Sequence, residues 1–160
     1  VQGLNNGKDM VGNKLDGSTA FTIGAAVTPE TDLVGPVLAK FEVKVKAGAQ
    51  FFQTQAVYHP EVFASFMKQA RSFNVKVLAG ILVLRNYKMA EFMNANIPGM
   101  SVPSEMIDEL KAAGEKAEDV GVDIAVQTIK AVRPHCDGVH IMAIKATHRL
   151  AEIITKAELG

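Results

Sequence analysis

Residues 47–84 read AGAQFFQTQAVYHPEVFASFMKQARSFNVKVLAGILVL, and this stretch decides the fold. Its two ends, residues 49–57 and 75–84, are apolar runs of strand length. They are near-continuous rather than alternating, which means that both faces are covered, as in parallel strands flanked by helices. Between them, Pro60 stands where a helix begins, at a first-turn position that has no intrahelical N–H partner to lose. Val62, Phe63, Phe66, Met67, Ala70 and Phe73 then recur at helical spacing. Strand, helix and strand in direct succession make a βαβ unit with a right-handed crossover.

Working outward, residues 20–27 (AFTIGAAV) and 138–144 (GVHIMAI) read as two further buried strands. Helical patterns cover 34–47, which ends at Gly48, then 86–96, 103–113 opened by Pro103, and 115–132. Thr147 is placed to cap a last helix carrying Leu150, Ile153, Ile154 and Ala157. The order is β-α-β-α-β-α-α-α-β-α. Four βα units are half of an eight-stranded barrel, or a small open sheet, and the pattern alone does not choose. In either architecture chemistry sits at the C-terminal ends of the strands. That selects residues 27–30, 53–59, 84–87 and 144–147.

Composition narrows the function classes. The 160 residues carry 17 Lys+Arg and 17 Asp+Glu, so there is no basic excess of the kind that phosphate-backbone binding needs, and no nucleic-acid partner is expected. Hydrophobic residues at 48% with 21% charged indicate a globular chain rather than a disordered tail. No apolar run approaches the roughly 20 residues of a membrane-spanning helix. The single cysteine, Cys136, excludes an internal disulfide and a CxxC zinc site, and it points to a reducing, cytoplasmic compartment. Cys136 itself reads as a small packing residue. Residues 1–19 are rich in Gly, Asn and Asp with little periodicity, and they read as an irregular segment at a cut end inside a longer protein. The whole, 1–160, reads as a single partial-barrel domain.

Strand 49–57 holds the most informative side chains. Gln53, Thr54 and Gln55 place three polar groups in a run that should be buried, and a buried amide needs partners. On a strand Gln53 and Gln55 share a face and Thr54 points the other way. The glutamines either bond neighbouring backbone or read a heterocyclic amide such as a pterin or a flavin edge. Tyr87 either packs at a helix start or stacks on a flat ligand. Arg85 is a loop charge or the holder of a carboxylate or phosphate. Lys44, with Lys40 and Lys46 nearby, reads on its own as a surface lysine. His140 reads as a satisfied core histidine, and His59, before Pro60, as a helix N-cap or a substrate contact. The histidines show no metal-ligand spacing, and GxGxxG, GxxxxGK[ST] and GxSxG are absent from the sequence.

The segments AGAQFFQTQAVYHPEVFASFMKQAR, VKVLAGILVLRNYKMAEFMNANIPG and GVHIMAI resemble the methylenetetrahydrofolate reductase family, in the form found in anaerobes and other bacteria and archaea that process one-carbon units. The opening NNGKDMVGNKLDGSTAFTIGAAVTPE resembles the same family just before and through its fifth strand, so the resemblance covers nearly the whole chain. It implies an α/β fold: parallel βα units forming the C-terminal half, strands five to eight, of a (β/α)8 TIM barrel. It implies a flavin, FAD or FMN, through which electrons pass from NAD(P)H or another donor to 5,10-methylenetetrahydrofolate, giving 5-methyltetrahydrofolate.

By position, the resemblance makes Gln55 the contact to folate or nicotinamide over the flavin, and Tyr87 the aromatic that lies against the stacked ligand. Lys44 becomes the contact to the flavin's phosphate or ribityl side, and Ala26 the point where a strand end meets the flavin. The family's acidic residues on strands one and four have no counterpart in this chain, so no catalytic residue is assigned. Where some members carry an Arg after the last strand this sequence has Ala146, and the usual Pro of the third-strand loop is Val83. The implied partners are folate, the missing N-terminal half of the barrel, and a second copy or a redox partner subunit. The fragment alone is expected to be inactive. Two other readings remain: a pterin-binding methyltransferase barrel without flavin, and a non-catalytic half-barrel that docks a redox partner.

Overall fold

The computed structural model describes residues 1–31 and 33–159. Four strands, β1 (Gly24–Val27), β2 (Phe51–Ala56), β3 (Lys76–Leu82) and β4 (Gly138–Met142), form one parallel sheet in the order β1-β2-β3-β4. The helices are α1 (Gln2–Asn5), α2 (Val34–Lys46), α3 (Pro60–Ala70), α4 (Tyr87–Asn96), α5 (Ser104–Ala113), α6 (Ala117–Val132) and α7 (Leu150–Lys156). Strands that neighbour one another in sequence order are the connectivity of a barrel segment. A doubly wound sheet would reverse direction at a switch point.

Helices cover one face of this sheet. Alternate strand residues Val27, Phe52, Val77, Ala79 and Ile81 join one core with Phe41 of α2, Phe63 and Phe66 of α3, Val122 and Ile129 of α6, and Ile153 of α7. Phe41 stacks on Phe52 with ring centroids 3.8 Å apart, and Phe66 meets it edge-on at 5.9 Å. A second cluster lies at the C-terminal ends of the strands, where Leu82, Leu84 and Tyr58 pack with Ala90, Val102 and Leu110 of the α4–α5 excursion. On the other face, Leu82 and Met142 at the C-terminal end join the second cluster, whereas Ala26, Phe51, Gln53, Leu78 and His140 belong to neither cluster and are each partly buried or exposed. Apart from that C-terminal end, this face of the sheet is bare.

The helix and strand assignments hold, with shifts that have local causes. The first strand begins at Gly24 rather than residue 20. The Asn5 side chain takes the N–H and C=O of Phe21, so that backbone is diverted from the ladder. Residues 1–19 are not wholly irregular, since they contain α1 and an isolated bridge between Lys8 and Lys14. Thr147 does not cap the last helix: residues Thr147–Arg149 form a 3-10 turn and α7 starts at Leu150. His140 is on the bare face, half-exposed and in register with Gly80, not in the core.

The register of β2 on β3 slips between Gln53 and Ala56, where β2 has one residue more than its partner. Gly80 sits opposite this bulge. A Cβ there would lie 2.5 Å from the Thr54 carbonyl oxygen, so only glycine lets the bulged strand approach. Buried Thr54 is fully used: its hydroxyl accepts the Gly80 N–H (2.8 Å) and donates to the Gln55 carbonyl (2.6 Å).

Candidate functional site

Three of the four site residues expected from the sequence come together. A groove of about 320 Å³ lies where the end of β1 meets α2, and Ala26, Thr28, Lys40, Phe41, Lys44 and Gln55 line it. Lys40 and Lys44 are one helical turn apart on α2. Helical side chains lean toward the helix N-terminus, and Lys44 reaches back to donate from Nζ to the Ala26 carbonyl at 2.6 Å. That bond uses one of three donors and leaves the ammonium in the groove. Gln55 enters beside it from the bulge of β2, just beyond the last β1–β2 pair, Val27 with Thr54.

The bulge also separates the two glutamines. Gln53 lines a different depression, of about 400 Å³, on the bare face with Gly24, Ala26 and Phe51. Tyr87 lies outside both. It begins α4, packs against the second cluster, and has the Lys111 ammonium 5.7 Å from its ring centroid. Arg85 is not a free loop charge, because its Nε donates to Glu118 Oε2 at 3.2 Å. Glu118 also meets His148 Nε2 at 2.8 Å, which ties α6 to the turn before α7.

A third depression, of about 390 Å³, is lined by Glu30, Thr31, His59, Val62 and Ser101. His59 occupies the N-cap position of α3, yet its ring does not cap the helix and instead meets the Ser101 carbonyl at 3.2 Å. The backbone there is held by Glu30, whose Oε1 accepts the N–H groups of Tyr58 (2.7 Å) and His59 (2.6 Å). Glu30 Oε2 and the Tyr58 hydroxyl are buried and have no hydrogen-bond partner among the described residues. Burial pushes the Glu30 carboxyl above its ordinary range, against the pull of the two N–H groups and of His59. Burial, together with the neighbouring Glu30, pushes the Tyr58 phenol well up. Sequence reasoning assigned Glu30 no role. Its one signal was position, in the strand-end window 27–30.

Cys136 is half-buried against the main core, and burial pushes its thiol up, as expected of a packing residue rather than a nucleophile. Among the described residues no group of three His, Cys, Asp or Glu side chains is placed to hold a metal ion. No described helix is long and apolar enough to cross a membrane.

Comparison with known proteins supplies the family. Residues 7–158 match methylenetetrahydrofolate reductase. Methylenetetrahydrofolate reductase 2 of Schizosaccharomyces pombe is 31% identical over 137 residues, which are 74% of this chain and 21% of that protein. Methylenetetrahydrofolate reductase (NADH) 1 of Arabidopsis thaliana is 29% identical over 104 residues, 61% of this chain and 17% of that one. The chain thus spans about a fifth of the length of the curated relatives it matches. In fold it is similar to an uncharacterized protein of Clostridium thermocellum that binds two copies of 5-methyl-5,6,7,8-tetrahydrofolic acid, with a TM-score of 0.56, 17% identity, and coverage of 84% of this chain and 51% of that one. A family match running through nearly every element leads to one assignment: the chain belongs to the methylenetetrahydrofolate reductase family.

Proposed function

We propose that this chain forms one wall of the active centre of a flavin-dependent methylenetetrahydrofolate reductase, which reduces 5,10-methylenetetrahydrofolate to 5-methyltetrahydrofolate. The observation that carries the reading is the convergence of Ala26, Lys44 and Gln55 on one groove at the C-terminal end of β1 and β2. These residues suit a flavin. Lys40 and Lys44 offer two ammonium groups one helical turn apart, suited to the phosphate side of FAD or FMN. Gln55 offers an amide with both donor and acceptor, suited to the edge of a heterocyclic amide. The flavin, when bound, supplies the hydride carrier.

The residues of the chain bind and orient. Lys44 is pre-positioned by its bond to the Ala26 carbonyl, so little side-chain entropy remains to be lost on binding. In this reading Gln55 holds the pterin, or the nicotinamide ring, over the flavin, and Tyr87 flanks it from the end of β3. The Arabidopsis and Zea mays relatives are named as NADH enzymes, which supports NADH as the donor. The Clostridium thermocellum protein's methyltetrahydrofolate supports a folate substrate. The proton donor comes from strands outside this chain, and the sheet is the C-terminal half, strands five to eight, of a barrel that is active only when complete.

The test is a visible absorption spectrum of the chain after incubation with FAD or FMN and desalting. A retained flavin band is expected, with affinity falling about tenfold in Lys44→Met as one charge-assisted bond is lost. A chain that retains no flavin, or that binds it equally well with Lys44→Met, would overturn the assignment of this groove.

A further inference from the structure

We propose that Glu30 is a positioning residue: its carboxylate locks the turn between β2 and α3 to the end of β1, and so fixes the spacing of the two walls of the Ala26–Gln55 groove. The proposal begins with a gap in the ladder. The β1–β2 pairing ends at Val27 with Thr54, and Gln55 lies beyond it, inside the bulge. Past the bulge β2 is held on its β3 side, where Ala56 pairs with Gly80 and the Val57 N–H donates to the Gly80 carbonyl at 2.9 Å, but the ladder to β1 has ended. The next link between the two strands is Glu30, whose Oε1 accepts the N–H of Tyr58 at 2.7 Å and of His59 at 2.6 Å. A side-chain oxygen stands there in the place of a strand carbonyl. Glu30 does not line the groove itself, but Thr28, two residues before it, does, so the clamp reaches the groove through the chain on either side of it.

The surroundings require the clamp. Tyr58 is 3% exposed, so its N–H must find an acceptor within the protein. Pro60 follows directly and has no N–H, so Tyr58 and His59 bring the last backbone donors before the helix proper. A strap then closes over the same point. Asn94 clips Val102 by two bonds, of 2.9 and 2.7 Å, and Ser101 meets the His59 ring. Gly99, at φ 80°, lies so close to Thr28 that a Cβ would be 2.6 Å from the Thr28 methyl. Three loops therefore meet around the Glu30–His59 contact, at the C-terminal end of the sheet.

The clamp carries a charge signature. The titratable groups facing Glu30 among the described residues are the Tyr58 phenol and His59 ring from the turn and Glu61 from α3, and the strap adds the Ser101 carbonyl through His59. Because burial lifts the Glu30 carboxyl, proton uptake above the ordinary carboxylate range weakens its two accepted bonds. The consequence for flavin rests on the function proposed above, so the experiment reads the clamp and the flavin separately.

In a 15N amide spectrum of the whole chain, the Tyr58 and His59 N–H groups should shift together with pH, with a midpoint above that of an ordinary glutamate. Glu30→Gln keeps an acceptor oxygen and should abolish the shared titration. Glu30→Ala should speed exchange of both amides at least about tenfold, with Val77 and Ile129 unchanged. It should also weaken FAD binding about tenfold at neutral pH, more than Glu30→Gln does. Amides that neither titrate together nor exchange faster in Glu30→Ala would overturn the clamp. Released amides with unchanged FAD affinity would overturn the positioning role. A wild-type chain whose amides behave as expected but which binds no FAD would support the clamp and overturn the flavin reading instead.

Discussion

Glu30 and Asp137 are carboxylates at opposite ends of the sheet, and each accepts backbone N–H bonds, yet their acidities move in opposite directions. Burial dominates at Glu30 and raises it. At Asp137 burial also pushes up, but the Val77 N–H at 2.9 Å, Lys76 at 3.2 Å and Arg71 at 3.3 Å outweigh it and hold the group below its ordinary 3.8. The folded state binds a proton on Glu30 more tightly than the unfolded chain does, so this group's contribution to stability falls as pH rises above its ordinary 4.5. Asp137 works the other way: its contribution is full above 3.8 and is lost as pH falls through the lowered value. Urea unfolding at pH 7 and in acid should therefore separate the two. Asp137→Ala should cost about 2 kcal/mol at pH 7, from the unpaired Val77 N–H and the freed cations, and progressively less in acid. Glu30→Gln, measured against wild type, should look most favourable at pH 7 and lose that advantage in acid. Parallel pH slopes for the two variants would contradict this account.

At the scale of elements, what the sequence made legible was what periodicity encodes. The apolar spacing in residues 60–73 placed α3 with Pro60 at its first position, and the continuous apolar runs placed β2 and β3. Periodicity also marked the residues that bury, such as Phe52, Phe63 and Phe66. It could not show features set by a partner far along the chain. The start of β1 depends on Asn5 reaching Phe21, and the separation of Gln53 from Gln55 depends on a bulge matched to Gly80. The Glu30 clamp joins residues 28 and 29 positions apart and leaves no local pattern. Gln55 stood out as a polar group in an apolar run, whereas Ala26 and Lys44 were singled out only because a family resemblance pointed to them, and Lys44 alone looked like any surface lysine. The aromatic cluster offers a direct test of the packing. Phe52 is fully buried, lies beneath Phe41 and is central to the helix-covered face. Phe52→Ala should cost about 3–5 kcal/mol, read as a lower urea midpoint with an unchanged slope. A loss under about 1 kcal/mol would mean that the stack contributes little beyond contact.

For the whole molecule, the decisive asymmetry is that helices cover one face of the sheet, whereas the other, apart from its C-terminal end, is bare. Phe51, Leu78 and His140 are partly exposed there, and Ala26 is exposed. Among the described residues β1 and β4 each pair on one side only, so both outer edges present unpaired backbone groups. A parallel sheet is stable when both faces are covered, and a barrel of eight strands covers the second face with its own interior. Four more parallel strands would close this one. They can come from the rest of a longer chain, since the curated relatives are several times this length, or from a second copy related by a two-fold axis along the barrel. The chain by itself has only the second option, so we predict that it self-associates through this face. Sedimentation should show species heavier than the 17.2 kDa chain. Phe51→Asp, which places a charge on the bare face without touching the helix-covered core, should shift the population to monomer while helix content stays constant. A stable 17.2 kDa monomer in the wild type would show that the bare face tolerates water and does not need further strands to cover it.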